Sequence, residues 1–164
     1  MKKKIKLYDS TLRDGAQTKG VNFSLNDKLK IISLLDEIGI DYIEGGWPGA
    51  NPTDNVFFQK LPKLRNSKAV AFGMMRKFGK SSQNDSGLNA VLNSGVSTVC
   101  LVGKSWDFHV RNALKIPLNK NLDMISDTIA FASKRVDEVL FDAEHFFDGY
   151  KNNCLLYTSP SPRD

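Results

Sequence analysis

The sequence predicts an α/β protein with a parallel sheet, read as an incomplete (β/α)8 TIM barrel holding about its first five strand–helix units. Three observations carry that prediction. Short apolar strands alternate with helical stretches, joined by short loops, through most of the 164 residues. Polar, reactive side chains recur just after the strands, where parallel α/β folds build their sites. The first strand is followed by neither a G-x-G-x-x-G turn nor a Walker motif. The alternation alone also admits a doubly wound open sheet.

Residues 5–8, Ile-Lys-Leu-Tyr, read as the first strand, and a polar loop follows from Asp9 to Asn22. Ser24 can cap a helix that has Asp27 in its first turn. Leu25, Leu29, Ile32, Leu35 and Ile38 recur at helical spacing, and Gly39 suits the position just past the helix. The second strand is predicted over 40–44 and is followed by a loop, Gly45-Gly46-Trp47-Pro48-Gly49. Thr53 is the expected cap of a helix running to Leu61. Residues 68–72 read as a third strand, 88–93 as a helix ended by Gly95, and 96–102 as a fourth strand. A long helical stretch then places Leu122, Ile125, Ile129, Ala132 and Val136 on one face before a fifth strand over 138–141.

Composition excludes several classes. Hydrophobic residues at 41% and charged residues at 25% are ordinary for a globular domain, which argues against disorder. No apolar run is long enough to cross a bilayer, and no apolar stretch follows the basic start as a secretory signal would require. Two cysteines, Cys100 and Cys154, are too few for a disulfide framework, so cytoplasmic residence is the default. The net charge of +5 owes much to the lysines near the start, read as a solvated end. Nucleic-acid binding rests on that charge alone, with no interleaved aromatics to stack on bases, and is not expected.

The segment from Cys154 to Asp164 departs from the rest: the alternation stops and a Ser-Pro repeat appears. It resembles the in-frame translation of a sequencing-library adapter and is set apart from fold reasoning. Residues 1–153 are therefore expected to be the N-terminal part of a longer barrel domain. Alone, such a piece is expected to aggregate or fold partially, since a half-built barrel leaves sheet edges unpaired.

The candidate chemistry lies at the strand ends: Asp9, Arg13, Asp14 and Gln17 after the first, Glu44 ending the second, Lys104, Asp107 and His109 after the fourth, and Asp142, Glu144 and His145 after the fifth. Each has a structural reading of its own; Asp9 can cap a turn, and Arg13 can pair with Asp14 on the surface. Their recurrence at one rim is what points to a site. The adjacent Arg13 and Asp14 are informative together. A carboxylate is a hard ligand for a divalent cation, and a neighbouring guanidinium holds a carboxylate or a developing oxyanion.

Tyr8-Asp9-Ser10-Thr11-Leu12-Arg13-Asp14-Gly15-Ala16-Gln17 resembles the signature of the DRE-TIM metallolyase superfamily, the pyruvate-carboxyltransferase-like, HMGL-like proteins. That superfamily includes the isopropylmalate, homocitrate and citramalate synthases and the hydroxymethylglutaryl-CoA lyases. The likeness continues through Phe23, Lys28, Leu35, Gly39 and Ile43-Glu44-Gly45-Gly46-Trp47-Pro48. Gly103-Lys104-Ser105-Trp106-Asp107-Phe108-His109 and Asp142-Ala143-Glu144-His145-Phe146-Phe147-Asp148-Gly149-Tyr150 are most similar to one branch of citramalate synthases.

The resemblance implies a metal-dependent condensation of acetyl-CoA, as co-substrate, with a 2-oxo acid. Pyruvate would give (R)-citramalate for isoleucine, within branched-chain amino-acid biosynthesis; isopropylmalate or homocitrate synthesis is the alternative. It implies Asp14 as a ligand of a divalent metal (magnesium, manganese or zinc) and Arg13 as the residue that binds the 2-oxo acid and stabilises charge on it. Gln17, Glu44 and His109 match positions lining the substrate pocket. Glu144 matches an acidic residue that lines it too and is a candidate participant in catalysis. The superfamily's two further metal ligands form a His-x-His pair on a later strand, and this sequence contains no such pair; His145 has no partner two residues away. The resemblance also implies a homodimeric parent whose partners are small molecules, with neither nucleic acid nor membrane.

Overall fold

The structure, a computed structural model, describes residues 5–152. The lysines at 2–4, the boundary at Asn153 and the adapter-like segment from Cys154 lie outside the described residues. Five strands form one sheet: β1 (Tyr8–Asp9), β2 (Tyr42–Gly46), β3 (Lys68–Met74), β4 (Thr98–Lys104) and β5 (Glu138–Glu144). They lie side by side in chain order, and every neighbouring pair is parallel. The helices are α1 (Leu25–Ile38), α2 (Pro52–Gln59), α3 (Ser86–Leu92), α4 (Asp107–His109), α5 (Leu118–Ala132) and α6 (Phe146–Asn152). A doubly wound sheet reverses its strand order partway; this one does not, which decides for the barrel.

The sheet curls into a half-barrel. Tyr42 on β2 donates to Glu138 on β5 at 2.8 Å although β3 and β4 lie between them, a contact that a flat sheet could not make. Lys68 on β3 donates to the other Glu138 oxygen at 2.8 Å, and Lys6 donates to the Tyr42 hydroxyl at 2.6 Å.

Alternation along the strands separates two cores. Ile43, Ala69, Ala71, Val99 and Leu101 pack against the helices through Ile32, Phe57, Leu88, Val91 and Ile125. Tyr42, Val70, Phe72, Cys100 and Val102 pack with Trp47 and Leu140 on the concave face.

The strands end later than the sequence predicts: at Asp9, Gly46, Met74, Lys104 and Glu144 rather than at residues 8, 44, 72, 102 and 141. Counting apolar residues stops a strand where its polar rim begins. The ladder continues through that rim, with Val102 opposite Asp142 and Lys104 opposite Glu144. At the other end, Ile5 and Leu7 lie outside β1 and are largely exposed.

The helices follow their local signals with three corrections. Ser24 and Asp27 form a reciprocal capping box, and Gly39 takes the left-handed conformation at φ 86°. Ile38, however, is exposed rather than part of the packed face. The cap of α2 is Asn51, which accepts from Thr53 N–H at 2.9 Å with Pro52 opening the helix, so Thr53 lies inside the first turn. The stretch after β4 is broken: α4 passes into one π turn, Lys115 adopts φ 55°, and α5 then runs to Ala132, leaving Val136 beyond its end.

A buried ion pair fastens the loop after β2. Lys28 on α1 pairs with Asp54 on α2, and their side chains are 4% and 7% exposed. Lys28 also donates to the Gly45 carbonyl at 2.9 Å, and Asp54 accepts from Trp47 N–H at 2.8 Å. A Cβ on Gly46, whose φ is 152°, would collide with the Asp54 carboxylate; one on Gly45 would meet the Phe57 ring. The Gly-Gly pair is thus a packing requirement. Asp54→Ala leaves a buried ammonium without its partner, and the expected loss is about 3–5 kcal/mol. Urea denaturation measures it, and a loss below about 1 kcal/mol would show that water or a new partner compensates the lysine.

Candidate active site

The loop after β1 turns Arg13 back over the sheet. Asp9 accepts from the Thr11 N–H and hydroxyl, both at 3.0 Å, and so caps the turn. The N–H groups of Arg13, Asp14 and Gly15 all converge on the Ser10 carbonyl, at 3.2, 2.8 and 3.2 Å. Leu12 is fully buried and anchors the loop. Arg13 Nε donates to Glu44 Oε1, and the Tyr8 hydroxyl donates to Glu44 Oε2. Glu44 is 1% exposed, so both bonds are made away from solvent. The Arg13 guanidinium lies over the Phe72 ring, Cζ 3.9 Å from its centroid, and Arg13 Nη1 donates to Asp14 Oδ1 at 3.2 Å.

Asp14 differs in kind from Glu44: 62% of its side chain is open to solvent and to any ligand. Its hard oxygens suit a divalent cation. They supply one ligand only; among the described residues no three His, Cys, Asp or Glu side chains gather into a metal site. Gln17 sits exposed on the 3-10 turn Gly15–Gln17. With Arg13, Phe23, Trp47 and Asn51 it lines a cleft of about 240 Å³.

The β4–β5 side of the rim holds the second group. Lys104 donates to Glu144, its register partner on β5. His109 stacks near Trp106, with centroids 4.8 Å apart, and edge-on to His145 at 4.5 Å. His109 Nδ1 is buried and makes no hydrogen bond. His145 adopts φ 58°, and its Nδ1 lies 3.1 Å from Asp148 Oδ2. The residues to which the resemblance assigns metal, substrate or catalytic roles thus fall into two clusters: Arg13, Asp14, Gln17 and Glu44 around β1 and β2, and His109 and Glu144 around β4 and β5.

Asp142 lies between them electrostatically. Burial raises its pKa most, the Arg13 charge opposes that rise, and Glu144 and Asp14 add to it. Burial, with Cys100 and Glu44 adding to it, also holds the Tyr8 phenol far above its ordinary range, so it remains a donor. Burial pushes the Cys100 thiol up to about 12, leaving it neutral.

Tyr8 and Phe72 belong to this group without standing among the strand-end candidates that the sequence offers, whereas Asp142 is one of those candidates. The period-two pattern is the signal for Phe72, which shares its face with Val70.

A family model described as HMGL-like matches residues 4–155. The chain is 52% identical over 155 residues to the (R)-citramalate synthase of Aquifex aeolicus, covering 93% of this chain and 29% of that protein. It is 48% identical to the (R)-citramalate synthase of Geobacter sulfurreducens, covering 91% and 29%. Identity to 2-isopropylmalate synthase 2 of Caldanaerobacter subterraneus is 34%, covering 87% and 35%. The chain therefore spans about a third or less of these relatives' length. Among solved structures, hydroxymethylglutaryl-CoA lyase from Pseudomonas aeruginosa superposes with a TM-score of 0.64 at 19% identity, covering 84% of this chain and 45% of that one, which shows a shared fold. No helix among the described residues is long and apolar enough to cross a membrane.

A raised carboxyl pKa means that folding favours the protonated Asp142, so wild-type stability falls as pH rises through that pKa. Asp142→Asn is expected to raise the melting temperature at pH 7, with the gain vanishing near pH 3, about where carboxylates are protonated in both states. An equal gain at both pH values would assign the effect to packing.

Proposed function

Because the chain belongs to the HMGL-like family, we propose that the full-length protein carrying it condenses acetyl-CoA with pyruvate to give (R)-citramalate. One observation carries the reading. An arginine bonded to a buried glutamate over the sheet stands beside a solvent-open aspartate at the rim, in a chain about half identical to (R)-citramalate synthases over nine-tenths of its length. Identity to 2-isopropylmalate synthases is lower, at 28–34%, which favours pyruvate over a branched 2-oxo acid.

In the condensation, a proton leaves the acetyl-CoA methyl group and the enolate carbon bonds to the keto carbon of pyruvate. The keto oxygen ends as a hydroxyl after taking up a proton, and water then cleaves the thioester to release CoA. Glu44 occupies Arg13 Nε and Asp14 contacts Nη1, so the remaining guanidinium N–H groups serve the pyruvate carboxylate or the keto oxygen as it gains charge. Asp14 would hold a divalent metal; when bound, that metal supplies Lewis-acid polarisation of the carbonyl. Gln17 lines the cleft beside Arg13 and is assigned to substrate contact. Glu144, which accepts from Lys104, and His109 are assigned to the far side of the same pocket. The product would enter isoleucine formation in the cytoplasm, and the working protein would be a homodimer. The segment alone would be inactive, because Asp14 offers a single metal ligand.

The test uses the full-length protein and thiol release from acetyl-CoA. Turnover should require a divalent cation and favour pyruvate over 2-oxoisovalerate. Arg13→Lys should lower kcat by about 10²–10³-fold, the scale of losing a fixed oxyanion donor. Preference for 2-oxoisovalerate would replace citramalate by isopropylmalate synthesis, and an Arg13→Lys enzyme of undiminished rate would reject the site.

A further inference from the structure

The Gly-Gly-Trp-Pro loop and Phe72 have no part in the chemistry above, yet they end at its central residue. Three contacts lie in series. Asp54 accepts from Trp47 N–H at 2.8 Å, which fixes the backbone that carries the indole. The Trp47 ring meets Phe72 edge-on, with centroids 5.4 Å apart and planes at 83°. The Phe72 face carries the Arg13 guanidinium, Cζ 3.9 Å above the ring centroid. Phe72 is 5% exposed, so this stack is largely shielded from solvent.

We propose that Phe72, buttressed by Trp47, is a positioning residue that sets the plane of the Arg13 guanidinium and so tunes recognition of the 2-oxo acid. The physical need is specific. The bond from Nε to Glu44 pins one edge of the guanidinium, and the Nη1 bond goes to Asp14, whose side chain is open to solvent, so neither bond by itself fixes the tilt of the plane. A planar fork recognises two oxygens only if its plane is held. An aromatic face beneath it removes that freedom and adds cation–π attraction that strengthens in a desolvated site. Aliphatic side chains of similar volume fill the space without doing either. Trp47 keeps the ring from turning edge-up, and the Gly45–Gly46 backbone with the Lys28–Asp54 pair keeps Trp47 in place. The two glycines that end β2 and the tryptophan that follows them thereby act on an arginine after β1.

The inference rests on the condensation proposed above, and its experiment separates the two. In the full-length enzyme, Phe72→Leu and Phe72→Met keep apolar volume and remove the ring. Both should raise KM for pyruvate by about tenfold, leave KM for acetyl-CoA within twofold, and keep the thermal midpoint close to wild type. Phe72→Leu or Phe72→Met enzymes with an unchanged KM for pyruvate would overturn the positioning role. So would equal increases in both KM values with a lowered midpoint, the mark of a merely structural ring. If the unsubstituted enzyme releases no CoA with any 2-oxo acid, the condensation reading itself fails.

Discussion

A carboxylate buried to 1% exposure must find its partners inside the protein, and Glu44 finds two, Arg13 through Nε and Tyr8 through its hydroxyl. That shared carboxylate organises the rim. It draws the loop after β1 inward, holds the guanidinium over the Phe72 ring, and leaves Asp14 beside it in solvent. Its own placement depends on β2. The register shifts between Glu44 and Gly46, leaving Gly45 as the extra residue, and no side chain fits there against Phe57. The bulge, the two glycines and the buried lysine beneath them are the local conditions for one charged group to point into the half-barrel.

The concave face is layered along the strands. At their N-terminal ends, Tyr42, Glu138 and Lys68 form a hydrogen-bonded group that reaches from β2 to β5. Apolar Val70, Phe72, Cys100 and Leu140 fill the middle. At the C-terminal ends come Arg13, Glu44, Lys104, Asp142 and Glu144. The lower polar group closes on itself and holds curvature. The upper one keeps Asp14 open and Asp142 strained toward its neutral form. Barrels of this class divide stability and chemistry between the same two ends.

Much of this was legible in the chain, residue by residue. Ser24, Asp27 and Gly39 marked the ends of α1 because capping is a local transaction between neighbours in sequence. The cap of α2 is ambiguous in the chain because Asn51 and Thr53 are both capping types two residues apart; Pro52 at the helix start favours Asn51. The strand ends are not legible from apolar patterning, because the polar residues Lys104, Asp142 and Glu144 continue the ladder into the rim. Arg13 and Asp14 are legible from their place after the first strand, their adjacency and the motif around them. Their different roles, one side chain held inside and the other open, follow from burial, which adjacency does not encode.

The sequence by itself determined the parallel α/β class, the order of the elements, the rim on which reactive residues collect and the motif that ties them to a family. These rest on periodicity, capping and turn chemistry, all of which act over a few residues. Tertiary structure alone decided that Glu44 is buried against Arg13 and Tyr8, that Lys28 lies under the loop after β2, and that His109 sits with His145 and Trp106 apart from the Arg13 cluster. Apart from Trp106 beside His109, each of those contacts joins residues well apart in the chain. The curl of a sheet and the desolvation of a charge, which bring them together, are set by the packed whole and have no local signature.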